Sequence, residues 1–348
     1  MTTFYLTEPY SIVTTKGDML EVHIPTDHAY ASGRRKMSVP LLSVTQVVVF
    51  GNITLTSPAL AALLEQGAEV CFCSAHGQFL GRLTAPLHKN GLVRLAQHRA
   101  HQDPLQSFTL ARAFVYGKLN NMRVMLTRAH RKRDEAAIDK AVESIRQIQE
   151  QVAALEPDPA HPQADSAYAR LQGLGASGTT LYFGVFDRLL KGDWKFERRC
   201  RRPPRDPVNA LLSFGYTLLT NQVAAAVNVV GLDPYIGFLH SSQYGKPALA
   251  LDVMEPFRPL VVDAVVLTLL NNEMLAQQDF REELGSRLLT EKGRHSFLHK
   301  FEERLDTEIR HPVFGYQASY RRSLELEVRL VAKWLAGEIP TFKPFVAR

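Results

Sequence analysis

The chain has 348 residues, 45% hydrophobic and 22% charged, which is enough apolar content for a sizeable core. Forty-one Lys and Arg against thirty-five Asp and Glu leave +6, a balance that permits a polyanionic partner without requiring one. No stretch approaches the roughly 20 uninterrupted apolar residues that cross a bilayer, the N-terminus lacks a signal-peptide layout, and three cysteines cannot make a disulfide framework, so a cytoplasmic protein with no membrane partner is expected.

In chain order, Tyr10–Val13, Met19–Ile24, Gln46–Phe50, Glu69–Cys73 and Phe79–Leu83 are β-branched or aromatic runs that predict short strands. Lys16-Gly17-Asp18, Gly51-Asn52 and His76-Gly77 separate them as turns. Cys71 and Cys73 alternate onto one strand face, as buried thiols would. Ser57–Gln66 predicts a helix, with Ser57 as cap, Pro58 at its first position and Gly67 beyond its end. From about Arg94 apolar residues recur at three- and four-residue steps, predicting helices over Ser107–Arg133, Ala136–Leu155, Leu181–Leu190, Val208–Val230, Pro259–Asn272, Phe297–Leu305 and Tyr320–Leu335. Glu156–Gln163 is a proline-rich connection. The expected fold is α+β, a β-rich domain over 1–93 followed by a larger helical domain over 94–348.

Three places carry chemistry. His240 follows the turn-rich connector GLDPYIGFL, where one ring nitrogen can ligate a metal while a neighbour holds the other. A hydrogen-bonded or exposed histidine is the plainer reading. Asp252 and Glu255 stand three apart, and Pro256 biases Glu255 out of the helical region, placing the pair at a helix entrance, where negative charge is stabilising in its own right. A hairpin-like excursion through Tyr244-Gly245-Lys246-Pro247 would bring His240 and Glu255 together. Imidazole with carboxylate suits Mn²⁺ or Mg²⁺, with zinc left open by only two ligands. Between Lys191 and Arg205 seven Lys or Arg stand against two acids, and guanidinium forks fit phosphate oxygens as readily as they solvate a loop. Arg128–Arg133 is a second basic cluster that helix solvation explains equally well.

The segments RRPPRDPVNALLSFGYTLLTNQV, GLDPYIGFLH and LALDVMEPFRPLVVDAVVLTLLN, followed by LLTEKGRHSFLHKFEERL and YRRSLELEVRLVAKWLAGEIPTFKPF, stand in an order and spacing that resemble the CRISPR-associated integrase of spacer acquisition, the Cas-one family. The N-terminal pattern VPLLSVTQVVVFGNITLTSPALAALLEQGAEVCFCSAHGQFLGRL fits that family's β domain, so the resemblance covers nearly the whole chain. It implies a metal-dependent DNA endonuclease and integrase that joins the 3′ hydroxyl of a prespacer to the CRISPR repeat. The implied assembly is a homodimer of two-domain subunits on a Cas-two dimer, with double-stranded DNA (prespacer and repeat) as substrate. By motif, His240 matches the family's metal-binding histidine, Glu255 the acidic ligand after it, and Asp252 the other acid of the D-x-x-[DE] element, so these three are the expected catalytic residues, with Mg²⁺ or Mn²⁺ as cofactor. Arg198, Arg199, Arg201, Arg202 and Arg205, with Arg258, are expected to face DNA.

The family's helix before its Tyr-Phe pair reads G-x-E-G-x-x-[AS], its glutamate being the first metal ligand. Seven residues before Tyr182 this chain has Gly175, and no carboxylate lies between Asp165 and Asp187. A helix-entry or close-packing glycine is the plain explanation for Gly175 itself. The loss of one anionic ligand implies a chain that folds and binds DNA while its strand transfer is strongly impaired. A silent DNA-binding scaffold of the same fold, and a general metallohydrolase with no DNA role, are the alternatives. EDTA sensitivity separates the first, and salt dependence of binding the second.

Overall fold

The structure, a computed structural model, describes residues 2–25, 34–85, 90–130, 135–157, 165–201, 203–240 and 243–347, and it is α+β. Arg202, most of the Glu156–Gln163 connection and the end of the Arg128–Arg133 cluster lie outside them. The chain divides into two units, Met1–Leu87 and His88–Arg348.

The first unit is built by period-2 patterning. Its strands are β1 (Thr2–Leu6), β2 (Ile12–Lys16), β3 (Met19–Pro25), β4 (Arg34–Pro40), β5 (Val44–Phe50), β6 (Thr54–Leu55), β7 (Glu69–Cys73) and β8 (Phe79–Leu83), with helix α1 (Ser57–Glu65) before β7. β1, β5 and β7 run parallel, with β8 antiparallel on the β7 edge. β4, β3 and β2 form an antiparallel set with β6 parallel on β2. Val13, Leu20 and Val22 from one sheet, Val47 and Val70 from the other and Leu63 from α1 share one buried core. Cys71 and Cys73 are both buried, and burial raises both thiols, that of Cys73 to about 11, which leaves them protonated and inert. Sequence patterning missed β1, β4 and the two-residue β6, whose polar or short runs carry little alternation.

The second unit contains α2 (Gly91–Gln102), α3 (Pro104–His130), α4 (Ala136–Ala154), α5 (Asp165–Gly184), α6 (Pro207–Val230), α7 (Ala248–Met254), α8 (Ala264–Asn271), α9 (Glu291–Asp306) and α10 (Tyr320–Leu335). Two small hairpins interrupt them, β9–β10 (Phe280–Glu283 with Ser286–Leu289) and β11–β12 (Glu308–Arg310 with Gln317–Ser319). α6 shows how local sequence sets an element. Asp206 accepts the Asn209 N–H at 2.8 Å, Pro207 occupies the first turn, and Gly231 at φ +92° ends the helix. Its length and apolar composition would suffice to cross a membrane, yet Leu211, Leu212, Leu218, Leu219, Val223 and Val227 are all buried within the unit.

The expected helix over Leu181–Leu190 is corrected. The helix is α5, ending at Gly184, and Phe186–Leu189 is a separate 3₁₀ turn. Glycines 173, 175 and 178 lower local helix propensity, but tertiary packing overrides it. A Cβ on Gly178 would lie 2.2 Å from the Leu119 Cδ2 of α3, so Leu119 occupies the space that glycine leaves and would have to shift to admit a side chain.

Buried Glu327 on α10 ties down the C-terminal segment, its Oε1 accepting the Phe345 N–H at 3.0 Å. Burial pushes its carboxyl up to about 8, against the opposing pull of that hydrogen bond. The native state therefore holds a proton at neutral pH that the unfolded chain releases above its ordinary value of 4.5. This contribution is whole below that value and is lost as pH rises toward 8. Replacing Glu327→Gln, which keeps the acceptor and cannot ionise, is expected to leave stability nearly unchanged at pH 4.5 and to raise it by about 3–5 kcal/mol above pH 8. Denaturant unfolding at both pH values checks this, and parallel pH profiles of variant and native protein would contradict it.

Candidate metal and phosphodiester site

α7 carries Asp252 on the side facing the connector that leaves α6. Asp252 is fully buried and accepts four hydrogen bonds: from the backbone N–H groups of Phe238 (2.5 Å), Leu239 (2.9 Å) and His240 (2.9 Å), and from His240 Nδ1 (2.7 Å). Gly237 makes room for this cluster, because a Cβ there would sit 2.7 Å from Ala248 Cβ and 2.9 Å from Asp252 Oδ2. With its proton on Nδ1, the imidazole presents Nε2 as a lone-pair donor. That Nε2 stands 3.8 Å from Glu255 Oε1.

The expected helix entrance at Asp252–Glu255 is corrected. Asp252 sits in the last turn of α7, and Glu255 remains helical at φ −52°, ψ −48°, donating its N–H to the Asp252 carbonyl. Pro256 lacks an N–H to be lost from a helix, and its carbonyl is taken by Asn121 Nδ2 of α3 at 2.7 Å. The chain continues through Glu255–Phe257 as 3₁₀ and Pro259–Asp263 as a π turn into α8. The expected hairpin between His240 and Glu255 is likewise replaced by a turn and α7. The Asp252 hydrogen bonds, not strand pairing, close the gap.

Glu255 is the buried anion of the site. Lys118 Nζ of α3 lies 2.8 Å from Oε2 and Arg258 Nη2 3.1 Å from Oε1. Burial alone would raise its carboxyl, but Arg258 and Lys118 outweigh that and hold it well below the usual carboxylate range. Sequence reading missed Lys118, which stands in a helix-patterned run where a single lysine signals nothing. No group of three or more His, Cys, Asp or Glu is arranged to hold a metal among the described residues.

Gly175 sits in the middle of α5, not at a helix entry. Tyr168 and Tyr182, seven residues to either side, share its helix face. Tyr168 donates to the Phe238 carbonyl, and Tyr182 donates to Asp263 Oδ2 at 2.9 Å. These two contacts flank the segment that carries His240 and Glu255, and Gly175 lies between them, about 10 Å along the axis from each. Its ideal Cβ would meet Val115 Cγ1 of α3 at 3.3 Å, one helical turn from Lys118. The face is open enough for a longer side chain with a few tenths of an ångström of adjustment.

The basic segment divides. Arg198, Arg201 and Arg205 are exposed. Arg199 and Arg258, expected to face DNA, are turned inward instead. Arg199 donates to the Cys200 carbonyl (2.8 Å), Asn209 Oδ1 (2.7 Å) and Ser213 Oγ (3.0 Å), while Arg258 is 9% exposed, binds Glu255 and lies over the Tyr216 ring at 4.9 Å. Tyr216 donates to Asp263 Oδ1 at 2.6 Å. Burial lifts the Asp263 carboxyl to about 6 despite the Tyr216 and Tyr182 hydrogen bonds, which pull it down.

Because Asp252 satisfies three backbone donors as well as the imidazole, Asp252→Ala is expected to cost about 3 kcal/mol or more of stability. Asp252→Asn, which keeps the shape and one acceptor oxygen, should lose less. Urea unfolding of the two variants tests the order, and an Asp252→Ala protein as stable as the native one would overturn it.

Comparison with known proteins gives one answer. A family model described as CRISPR associated protein Cas1 matches residues 4–303. CRISPR-associated endonuclease Cas1 3 of Thermus thermophilus is 35% identical over 345 residues, covering 99% of this chain and 97% of that protein. A CRISPR-associated exonuclease Cas4/endonuclease Cas1 fusion of Geobacter sulfurreducens is 37% identical over 98% of this chain, which spans 63% of the fusion's length. Among solved structures, a Cas1 protein from Thermotoga maritima matches with TM-score 0.80 at 23% identity over 98% of this chain and 99% of that one. A casposase bound to its integration product matches with TM-score 0.83 at 20% identity over 100% and 95%. At those identities the structural likeness is one of fold. The family match over most of the sequence is decisive: this chain belongs to the CRISPR-associated protein Cas1 family.

Proposed function

We propose that this chain is a cytoplasmic DNA endonuclease and integrase subunit of CRISPR spacer acquisition, with a metal site weakened by Gly175. The observation that carries the reading is His240 Nε2 at 3.8 Å from Glu255 Oε1, with the opposite ring nitrogen held by buried Asp252. Ligand bonds of about 2.0–2.2 Å let one ion span that gap. The donor set fits Mg²⁺ or Mn²⁺: one imidazole fixed in the right tautomer and one carboxylate kept ionised. His240 and Glu255 would hold the ion, and Asp252 would orient His240 without touching it. The chemistry supplied by a bound divalent ion is Lewis-acid stabilisation of a phosphodiester together with a lowered pKa for the attacking 3′ hydroxyl.

The chain's own residues do the rest. Lys118 and Arg258 neutralise Glu255 and place positive charge where phosphate oxygens would gather charge during transfer. Exposed Arg198, Arg201 and Arg205 are the basic side chains left for double-stranded DNA, prespacer or repeat. Homodimer formation and binding to a Cas2 dimer belong to the same reading; a Cas2 partner is supported by the fold shared with about a third of a chain in a Cas6-RT-Cas1–Cas2 complex.

A second reading has its own observation. With glycine at 175, the two cations on Glu255 already balance its charge and that of Asp252, so the pull on a divalent ion is weaker than a third carboxylate would make it. A DNA-holding scaffold subunit without strand transfer follows from that balance.

Restoring Gly175→Glu separates the two. The substitution is expected to tighten Mn²⁺ binding in calorimetry and to raise Mn²⁺-dependent integration by at least the roughly 10–100-fold typical of groups just outside a coordination sphere. EDTA should abolish whatever activity the native chain has, and DNA binding should weaken steeply with salt. Unchanged Mn²⁺ affinity and activity in the glutamate variant would refute the assignment of position 175.

A further inference from the structure

The connector from Gly231 to His240 lies outside helix and strand, so its backbone groups depend on side chains that reach it from neighbouring helices. Asp252 of α7 takes the N–H groups at its end, and α2 takes its other side. Arg94, Gln97 and His101 follow one another at three- and four-residue steps along one face of α2. Gln97 is fully buried and commits its amide to the connector. Its Nε2 donates to the Asp233 and Ile236 carbonyls, and its Oε1 accepts the Asp233 N–H, all at 2.8 Å. Arg94 Nη1 donates to the Gly231 carbonyl at 3.4 Å. His101 Nδ1 donates to the Gly237 carbonyl at 2.7 Å, its ring edge-on to that of Phe238.

Two peptide groups just before His240 are held at both ends. The Gly237 carbonyl and the Phe238 N–H belong to one peptide plane, whose oxygen His101 holds and whose N–H Asp252 accepts. The Phe238 carbonyl and the Leu239 N–H belong to the next, gripped by Tyr168 of α5 and again by Asp252. A peptide group is planar, so a hold at its N–H end alone lets it tilt, whereas holds at both ends fix its orientation. The chain then enters His240, whose own N–H and Nδ1 go to the same carboxylate. Asp252 sets the point from which the imidazole hangs, and the far-side donors set its angle. Coordination tolerates only about 0.2 Å in a ligand bond. A connector free to tilt would therefore lose metal affinity before it lost its fold.

We propose that Gln97 and His101 are positioning residues for the metal ligand His240. Gln97 fixes the start of the connector against α2, and His101 fixes the tilt of the Gly237–Phe238 peptide. The inference rests on the reading of His240 and Glu255 as holders of a divalent ion. It adds that α2, which supplies no ligand, governs how tightly that ion is held.

The test measures Mn²⁺ binding to the full chain by electron paramagnetic resonance of the free ion, with His240→Ala as the blank. His101→Phe keeps a ring beside Phe238 and removes the donor, and Gln97→Met keeps the length of the side chain and removes its amide. Each is expected to bind Mn²⁺ roughly tenfold more weakly, the low end of what groups just outside a coordination sphere control, with duplex DNA affinity unchanged. His101→Asn, whose Nδ2 stands where the imidazole Nδ1 does, should restore most of the affinity. A role in packing alone would lower the urea midpoint and leave the Mn²⁺ affinity of the folded protein at its native value. That result, or His101→Asn binding as weakly as His101→Phe, would overturn the assignment. Hydrogen exchange on the native chain needs no variant: the Phe238 and Leu239 amides should be protected as strongly as those of α6, and exchange at the rate of an open loop would also overturn it. If the native chain binds Mn²⁺ through His240 and the variants bind it equally well, this inference fails and the proposed function stands. If the native chain binds no more Mn²⁺ than His240→Ala, the proposed metal site fails and this inference with it.

Discussion

One buried carboxylate organises the region on which every functional statement depends. Asp252 gathers three consecutive backbone N–H groups and an imidazole, four donors converging on two oxygens. An ionised carboxylate removed from water needs such a full set of partners to offset its desolvation. The same contacts fix the connector after α6 in a shape it could not hold alone and leave His240 one free nitrogen, pointed toward Glu255. Structural satisfaction and chemical aim are thus one arrangement.

α3 is the second support. Lys118 reaches Glu255, and one turn on, Asn121 donates to the Pro256 carbonyl (2.7 Å) and the Phe345 carbonyl (2.9 Å) while accepting the Ala347 N–H (2.8 Å). Gly117, just before Lys118, lets the helix approach Pro256 and Pro344, whose ring carbons would lie 3.0 and 3.1 Å from a Cβ there. The turn that bears Glu255 and the end of the chain are therefore stitched to the same three residues of one helix. The C-terminal segment is part of what holds the site in place, although it carries none of its charge.

How far the sequence announces this depends on whether a signal is local. The boundaries of α6 and α10 are readable because cap and apolar period agree within each segment, with proline added in the first turn of α6. His240, Asp252 and Glu255 are readable as a motif, and the motif names the family. The hidden features are those that tertiary contact decides. α5 contains three glycines that depress helix propensity locally; Gly178 packs against Leu119 and Gly175 against Val115, while nothing in the structure explains Gly173. Glu255 stays helical before a proline because Asn121, 135 positions away, takes up the Pro256 carbonyl. Lys118 follows from a partner far away in sequence, Glu255, which no spacing rule reaches, and the inward turn of Arg199 from Asn209 and Ser213 of the helix that follows it. The short strands β9–β12 are too brief to show a period at all.

The inward arginines change how the basic segment is to be understood. Arg199 is fastened to Asn209 and Ser213 of α6, and Arg258 binds Glu255 while lying over Tyr216. Tyr216 in turn donates to Asp263, which Tyr182 of α5 also holds. The two guanidinium groups stand on this buried Tyr–Asp–Tyr bridge rather than in a phosphate-tracking groove. A charge count over Lys191–Arg205 treats all its cations alike, but burial assigns Arg199 to structure and leaves Arg198, Arg201 and Arg205 in solvent. Removing Arg199 would therefore act through the fold, by taking one of two donors from Asn209 Oδ1, which keeps the Cys200 N–H, and the guanidinium donor from Ser213 Oγ, whereas removing an exposed neighbour would act through long-range attraction alone. The segment is basic for two separate reasons: Arg199 serves the fold, and Arg198, Arg201 and Arg205 supply charge that faces solvent.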